Sequence, residues 1–253
     1  SRGTATIVSH DLKRDILLAA LLGTPVVLGQ VAPDNDDIFE QTLNHESPYY
    51  YPSLMLRYRS GDTTLTERDY YYLYYGYAFS DDYRPLMPIS AEDRVLMAFE
   101  KAHGDPSYDN MRDIVRYAEE VMRVDPFSPT NLNFLAYAYG AMGDTLNERI
   151  NYDRLTKVLA VIGDSGTGLT EKSPMHVLRF SHAADVLGTL GLSVVKRLVV
   201  SRTTEYITVA NENGRQLSKG YYFDYSRVYW GDPEDAPQKE RRWKINDYPV
   251  GGY

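Results

Sequence analysis

The chain has no cysteine among its 253 residues. This absence excludes a disulfide framework, a thiolate metal site, a cysteine nucleophile and a lipid-attachment cysteine. The hydrophobic fraction of 43% and the charged fraction of 25% are ordinary for globular proteins, which excludes disordered, collagen-like and coiled-coil classes. A chain of this length can bury a hydrophobic core without disulfides or metals, and we expect one domain with an appended subdomain.

Positive charge is scarce. Lys and Arg number 27 against 35 Asp and Glu, which gives a net charge of -8 and a pI near 5.2. Phosphate backbones and anionic lipids are bound by clustered Lys and Arg. We therefore expect no nucleic-acid partner.

Long apolar runs are also absent, apart from the stretch from Ile16 to Leu28. At about 13 residues it is shorter than the roughly 20 that a membrane span needs. Lys13 and Arg14 precede this run and Gly29 follows it, which is the layout of a secretory signal. We interpret residues 1–29 as a signal peptide with upstream residues, and we expect an exported, periplasmic or extracellular protein with no membrane span in the mature chain.

A buried amphipathic helix is the alternative for the same stretch. Asp15 and Pro25 favour it, because a charge and a helix breaker are unusual in an export signal.

Residues 30–165 are predicted to form a helical region. A helix start is marked at Thr66, where the spacing to Asp69 is that of a capping box, and Ser90 is given the same role. Further helices are predicted from Tyr108 to Arg123, from Thr130 to Met142, and from Leu146 to about Val161.

Residues 166–230 are predicted to form a small α+β subdomain, and residues 231–253 a loose tail. The segment MHVLRF is interpreted as a strand and SHAADVLGTL as a short helix. Three further stretches rich in β-branched and aromatic residues are predicted strands, and Asn211–Gly214 is a hairpin turn between two of them. The fold class is therefore α+β, with a helical N-terminal portion followed by a small antiparallel sheet with one helix.

Part of the helical region resembles a tetratricopeptide unit. The stretch is AEEVMRVDPFSPTNLNFLAYAYGAMGD, with a helix break at Asp125-Pro126 and a turn at Gly143-Asp144. The likeness covers about one and a half repeats, and a continuous core normally needs three. We interpret the stretch as a local helical hairpin.

A longer stretch is similar to a known family. The segment YPSLMLRYRSGDTTLTERDYYYLYYGYAFSDDYRPL, together with the residues from Gly163 through MHVLRF and LGTLGL, resembles an uncharacterised family of exported Bacteroidetes proteins, the domain of unknown function 4919. The resemblance implies a fold but carries no activity.

Tyrosine is the compositional outlier. The chain has 23, and eleven lie between Tyr49 and Tyr83. Tyr70, Tyr74 and Tyr77 recur at helical spacing, which predicts a core-facing stripe. Tyr71 and Tyr75 lie on a different face, and we expect them to be exposed.

A glycine inside the same helix, Gly76, costs on the order of 1 kcal/mol relative to Ala. We therefore predict that another backbone approaches it closely and that a larger residue there lowers stability.

Catalytic signals are weak. The run Gly163–Gly166 resembles the sequence around the nucleophilic serine of trypsin-like proteases, but it is better explained as a glycine C-cap and turn. His45, His103, His176 and His182 show no metal-ligand spacing and are interpreted as loop or surface residues. Adjacent acidic pairs cannot face one another across a substrate. We predict no catalytic residues, no metal site and no cofactor.

The predicted function is that of a non-catalytic envelope protein that binds a protein or peptide through residues 108–161. The alternative is a glycan-binding accessory protein or a weak hydrolase that uses the tyrosine-rich face, since flat amphipathic rings suit sugar stacking. The candidate binding residues are Tyr71, Tyr75, Tyr83, Trp230 and Trp243.

Overall fold

The computed structural model describes residues 30–231. The predicted signal peptide, the predicted tail beyond residue 231 and Trp243 lie outside these residues. In the described part of the chain, seven helices precede a small sheet and an eighth lies between its first two strands in sequence. The helices are α1 (Asn35–Leu43), α2 (Tyr51–Arg59), α3 (Glu67–Gly76), α4 (Ala91–Gly104), α5 (Tyr108–Met122), α6 (Pro129–Ala141), α7 (Thr145–Asp164) and α8 (Phe180–Thr189), with short 3-10 helices at Tyr77–Phe79 and Val228–Gly231.

Local capping explains where several helices begin. The predicted capping box at Thr66 is confirmed, because its hydroxyl accepts the Asp69 amide and the Asp69 carboxylate accepts the Thr66 amide. Ser107, Ser128 and Asp144 cap α5, α6 and α7 in the same side-chain-to-amide manner. These bonds satisfy amides that a helix leaves without partners at its start.

Ser90 does not follow this rule. Its side chain makes no capping hydrogen bond at the start of α4, because its backbone is already helical, with φ -62° and ψ -16°. A capping side chain normally needs an extended backbone at that position. The helix begins where predicted, but by a different local geometry.

The sheet has four strands, β1 (Met175–His176), β2 (Ser193–Val199), β3 (Thr204–Ala210) and β4 (Tyr221–Asp224). Their spatial order is β1-β4-β3-β2. The α+β class is confirmed, but the sheet is mixed: β2–β3 and β3–β4 are antiparallel, whereas β1 and β4 are parallel. The chain leaves β1 through α8 and two antiparallel strands, so it enters β4 in the direction of β1.

Two sequence predictions differ in this region. Only the first two residues of MHVLRF are a strand, and Phe180 already begins α8. The Asn211–Gly214 turn is present, with Gly214 at φ 74°. However, it leads from β3 to an isolated bridge between Ala210 and Gln216 before the chain reaches β4.

Apolar side chains form two clusters. The larger cluster combines α1, α2, α3 and α7 with α8 and the sheet, so the tyrosine-rich helix and the strands share one core. The smaller cluster lies between α4, α5 and α6. The second cluster places α5 and α6 away from the sheet, and their outer faces form the groove described below.

Candidate functional site

The tyrosine-rich segment lies in the interior. The predicted stripe of Tyr70, Tyr74 and Tyr77 is confirmed, because each ring is at most 4% exposed. Tyr74 packs edge-on against Phe127. The rings are therefore part of the core, where their area contributes to hydrophobic burial.

The candidate binding residues do not form an exposed platform. Tyr71 is half-buried and its hydroxyl accepts the Asp34 amide. Tyr75 is fully buried, contrary to the expected exposure, because the sheet covers its face of α3 and its hydroxyl donates to the His176 carbonyl at 3.0 Å. Tyr83 is also buried and donates to the carbonyl of Leu178.

Trp230 is 6% exposed and packs against Phe79, with ring centroids 4.9 Å apart. Arg227 lies over its ring at 5.8 Å. Trp230 thus closes the core beside α3, and the expected stacking surface with Trp243 involves a residue outside the described part.

A network of polar groups is buried where the helices meet the sheet. We call it the junction network, and its members are Tyr74, Asp125, Arg179 and His182. Asp125 is in the connection between α5 and α6, and His182 is in the first turn of α8. His182 Nε2 lies 2.9 Å from Asp125 Oδ2, and its Nδ1 lies 2.8 Å from the Tyr74 hydroxyl.

The geometry assigns the protons of this network. A carboxylate only accepts, so the Nε2–H of His182 donates to Asp125 and the Tyr74 hydroxyl donates to Nδ1 of a neutral ring. The Tyr74 oxygen in turn accepts the Leu178 amide at 3.2 Å. All three side chains are consequently satisfied.

Electrostatics favour the ionised carboxylate. Burial alone would raise the pKa of Asp125, but the hydrogen bond from His182 and the nearby positive charge of Arg179 hold the pKa below its ordinary value. Arg179 Nε lies 3.8 Å from the carboxylate. Asp125 and His182 are at most 2% exposed, and their hydrogen bond joins α8 to the α5–α6 connection.

Sequence reasoning missed this network. Asp125 was interpreted only as part of a helix break and His182 as a surface residue, whereas the structure places them together. The signal that could have identified His182 is its helical spacing to Val186, a buried residue of the same helix.

A second cluster surrounds Arg227, which is 2% exposed. Its Nη2 donates to the Pro33 carbonyl and to Asn35 Oδ1, and its guanidinium lies 4.9 Å from the Tyr75 ring centroid. Burial lowers the pKa of Arg227. The cluster ties the segment before α1 to the end of the sheet.

Asp224, next to this cluster, accepts hydrogen bonds from both the amide and the hydroxyl of Ser226. His176 Nδ1 lies 3.2 Å from its Oδ1. Burial opposes ionisation, but the hydrogen bonds from His176 and Ser226 lower the pKa of Asp224 to about 2. His176 is thus also not the surface residue that was expected.

An open groove lies on the outer faces of α5 and α6, within the predicted interaction region. We call it the α5–α6 groove; its volume is about 440 Å³. Its lining residues are Tyr108, Arg112, Val115, Arg116, Glu119, Tyr139, Met142 and Asp144. Those from α5 recur at helical spacing and therefore share one face of that helix.

The groove carries charges of both signs. Arg112 and Arg116 are one turn apart on α5, and Glu119 and Asp144 also line the groove. The Tyr139 hydroxyl donates to Glu119 Oε1 at 3.0 Å. Burial and this carboxylate raise the pKa of Tyr139 to about 12, so its hydroxyl stays protonated and anchors Glu119.

The groove has the chemistry of a surface that can contact a polypeptide. Among residues 30–231 no group of His, Asp or Glu could hold a metal ion, and no helix in that range is long and apolar enough to span a membrane. The groove offers exposed aromatic, cationic and apolar surface in one place, which are properties of a binding surface.

Comparison with known proteins identifies the family. A family model described as "Domain of unknown function (DUF4919)" matches residues 36–230. The match covers most of the chain, and the chain belongs to this family. No curated protein and no solved structure matches it.

Proposed function

We propose that this member of the DUF4919 family is a non-catalytic protein of the cell envelope that holds a peptide segment of another protein in the α5–α6 groove. The observation that supports this function best is the composition of the groove. Exposed Tyr108 stands beside two arginines, with Val115 and Met142 between α5 and α6. Aromatic and arginine side chains are enriched among residues that dominate binding energy.

The arginines define the chemistry of the ligand. Arg116 already contacts Asp113 at 2.8 Å and the Tyr117 hydroxyl at 2.9 Å. Among the described residues Arg112 pairs only with Asp109, at 3.9 Å, and both of those side chains are exposed. Arg112 is therefore the better placed guanidinium to take a ligand carboxylate, which it can bind through two parallel hydrogen bonds.

The apolar and acidic residues of the groove add further selectivity. Val115 and Met142 are partly buried and can receive an apolar side chain, since methionine adapts its shape to a ligand. Glu119 repels a second carboxylate. The proposed ligand is thus a peptide with one acidic residue and an apolar residue next to it.

The glycan-binding or hydrolase alternative would require aromatic rings at the surface. Tyr75, Tyr83 and Trp230 are buried, so no observation favours this alternative over peptide binding.

Export is part of the proposal and is supported by the sequence from Lys13 to Gly29. Fractionation of native cells would test it. A processed chain in the periplasmic or external fraction is expected, whereas an unprocessed chain in the cytoplasm would contradict export.

Site-specific photo-crosslinking tests the groove. A photoreactive residue replaces Tyr108 in the full chain, and a second sample carries it instead at the exposed loop position Lys172. We expect a discrete crosslinked product in envelope extract from position 108 but not from position 172. Mass spectrometry then identifies the crosslinked segment, and a synthetic peptide of that segment gives the affinity.

Charge reversal supplies the matched comparison. Arg112→Glu should weaken binding of that peptide at least tenfold, because a carboxylate replaces the cation that receives the ligand. Lys172→Glu changes the net charge equally and should leave the affinity unchanged. Equal loss in both variants, or no loss in either, would refute the groove as the binding site.

A further inference from the structure

Strand β2 forms one edge of the described sheet, and it is exposed along its whole length. It pairs with β3 on one side, and the sheet order places no described strand on the other side. All seven of its residues are exposed. Apolar side chains dominate, since Val195 and Val199 are 49% and 77% exposed and Leu198 is 37% exposed. Long apolar edges are the sites at which other chains add a strand.

The register shows which backbone groups face outward. Val200 donates its amide hydrogen to the Thr204 carbonyl. Bonded pairs alternate along an antiparallel ladder, so Leu198 also bonds to β3, whereas the N–H and C=O groups of Arg197 and Val199 point away from it. In the described part of the chain no hydrogen bond of these outward groups to another segment is present.

The edge is open over a limited stretch. The register shifts between Val194 and Lys196, which marks a β-bulge at the start of the strand. Bulges and lysines are features that limit uncontrolled pairing of edges. The regular stretch that remains, from Lys196 to Val200, has the length of a short added strand.

Charge separates this part of the molecule from the rest. Residues 193–220 contain five basic and two acidic side chains, a net +3, whereas the other 225 residues contain 22 basic and 33 acidic side chains, a net -11. Arg197 is paired with Glu205 at 3.1 Å, but Lys196 on the opposite face is exposed. A local positive charge on an acidic protein attracts an acidic partner and repels a second copy of the same edge.

We propose that β2 is a second docking site, which takes up an extended acidic segment of another protein as an added strand. The partner's backbone pairs with the outward groups of Arg197 and Val199. Its apolar side chains lie beside Val199, and its carboxylates lie on the opposite face, near Lys196. Main-chain bonds supply the affinity and the alternate side chains supply the selectivity, as in other cases of strand addition. This site is independent of the α5–α6 groove.

The test uses the full chain and a defined probe, a fluorescent peptide that alternates Glu and Val over eight residues. A peptide that alternates Lys and Val is the charge-inverted control. We expect the Glu/Val peptide to bind at least tenfold more tightly than the Lys/Val peptide and to protect the Val199 amide from hydrogen exchange. Its affinity should fall as salt is added. Equal binding of both peptides, or binding without protection at Val199, would overturn the proposal.

Two matched variants distinguish strand addition from simple charge attraction. Val199→Pro removes an outward N–H without removing a bond to β3, and it should abolish binding. Val199→Thr keeps the N–H and the branched shape, and it should bind like the wild type. Equal binding by the proline and threonine variants would exclude strand addition.

Further controls test whether the peptide binds in the α5–α6 groove instead, and whether a second copy or another segment of the chain occupies the β2 edge. Arg112→Glu should bind the Glu/Val peptide normally, and loss of binding there would assign the peptide to the α5–α6 groove instead. If the wild type is a dimer and Val199→Pro is a monomer, the occupant of the β2 edge is a second copy of this chain, and the proposed acidic partner is wrong. Protection of the Val199 amide in the peptide-free monomer would show that another segment of the chain already covers the edge, which would also refute the proposal.

Discussion

Polar side chains in the interior fix the irregular segments of this protein. His182 joins α8 to the loop at Asp125, and Arg227 joins the segment before α1 to the end of the sheet. Loops lack a repeating ladder of backbone bonds, so single buried side chains decide their positions. Buried polar groups of this kind stabilise a fold only while every partner is present.

Substitution of His182 tests the junction network. His182→Ala leaves the Asp125 carboxylate and the Tyr74 hydroxyl buried without this partner, and we expect a loss of about 3 kcal/mol in the free energy of unfolding, the order found when one member of a buried pair is removed. Urea denaturation followed by circular dichroism measures the loss. His103→Ala, at an exposed position, is the control. A change below about 0.5 kcal/mol for His182→Ala, the usual limit for surface positions, would show that the network is not structural.

The lowered pKa of Asp224 predicts that the stability of the folded protein depends on pH. Its folded pKa of about 2 lies below the ordinary 3.8, so the folded state favours the ionised form. The contribution, roughly 2 kcal/mol, is present above the unfolded pKa and is lost as the pH falls toward the folded pKa.

Comparison of the wild type with Asp224→Asn isolates this effect. The wild type should be more stable at pH 6, and the difference should shrink steadily between pH 4 and pH 2 in denaturant titrations. Asp109→Asn, at a side chain that is 90% exposed, should show no such trend. A difference that is constant over this range would argue against ionisation of Asp224 as its source.

At the scale of elements, α3 is the centre of the larger core and its end is tightly packed. A Cβ atom at Gly76 would lie 2.8 Å from Thr42 Cγ2 and 3.3 Å from Tyr51 Cδ2. The predicted close approach is therefore made by side chains of α1 and α2, not by another backbone. Thr42 is buried and its hydroxyl donates to the Ile38 carbonyl, so it cannot easily move away.

Gly76→Ala should destabilise the protein by about 1–3 kcal/mol, the range for overpacked cores, although alanine favours a helix. Thr42→Ser removes the contacting methyl group and keeps the hydroxyl. The double variant should therefore recover part of the loss, which thermal unfolding of the four proteins in a mutant cycle would measure. Simple additivity of the two changes would contradict the packing explanation.

At the scale of the whole molecule, the helices and the sheet share apolar contacts. The larger cluster includes Leu155 from α7, Ile207 from β3 and Phe223 from β4 together with the tyrosines of α3. A small sheet without a helical cover exposes its apolar face and is marginal in water. We therefore expect the stability of residues 166–230 to depend on the helical region.

Expression of residues 166–231 alone tests this dependence. We expect no cooperative thermal transition from this fragment, whereas residues 30–231 should unfold with coincident far- and near-ultraviolet circular dichroism signals. A fragment that melts cooperatively would establish an autonomous subdomain.

Local signals in the sequence were sufficient for most element positions. The capping box at Thr66 and the turn at Gly143, with φ 80°, depend on neighbouring residues only. The stripe of Tyr70, Tyr74 and Tyr77 follows from helical periodicity, which reports the face that is buried. The α+β class could be predicted for the same reason, because helical and strand patterns occupy separate halves of the chain.

Periodicity does not report which segment covers a face. Tyr75 was expected at the surface, but β1 lies against it through a bond to His176, 101 residues away. Asp125 and His182 are 57 residues apart, and each looks ordinary in its own segment. The proposed binding surfaces have the same origin, because the α5–α6 groove and the edge of β2 arise where neighbouring elements of the described chain leave a face uncovered. The sequence by itself determined the elements and their buried faces, and the tertiary structure decided the partners, since long-range contacts depend on the arrangement of the whole chain.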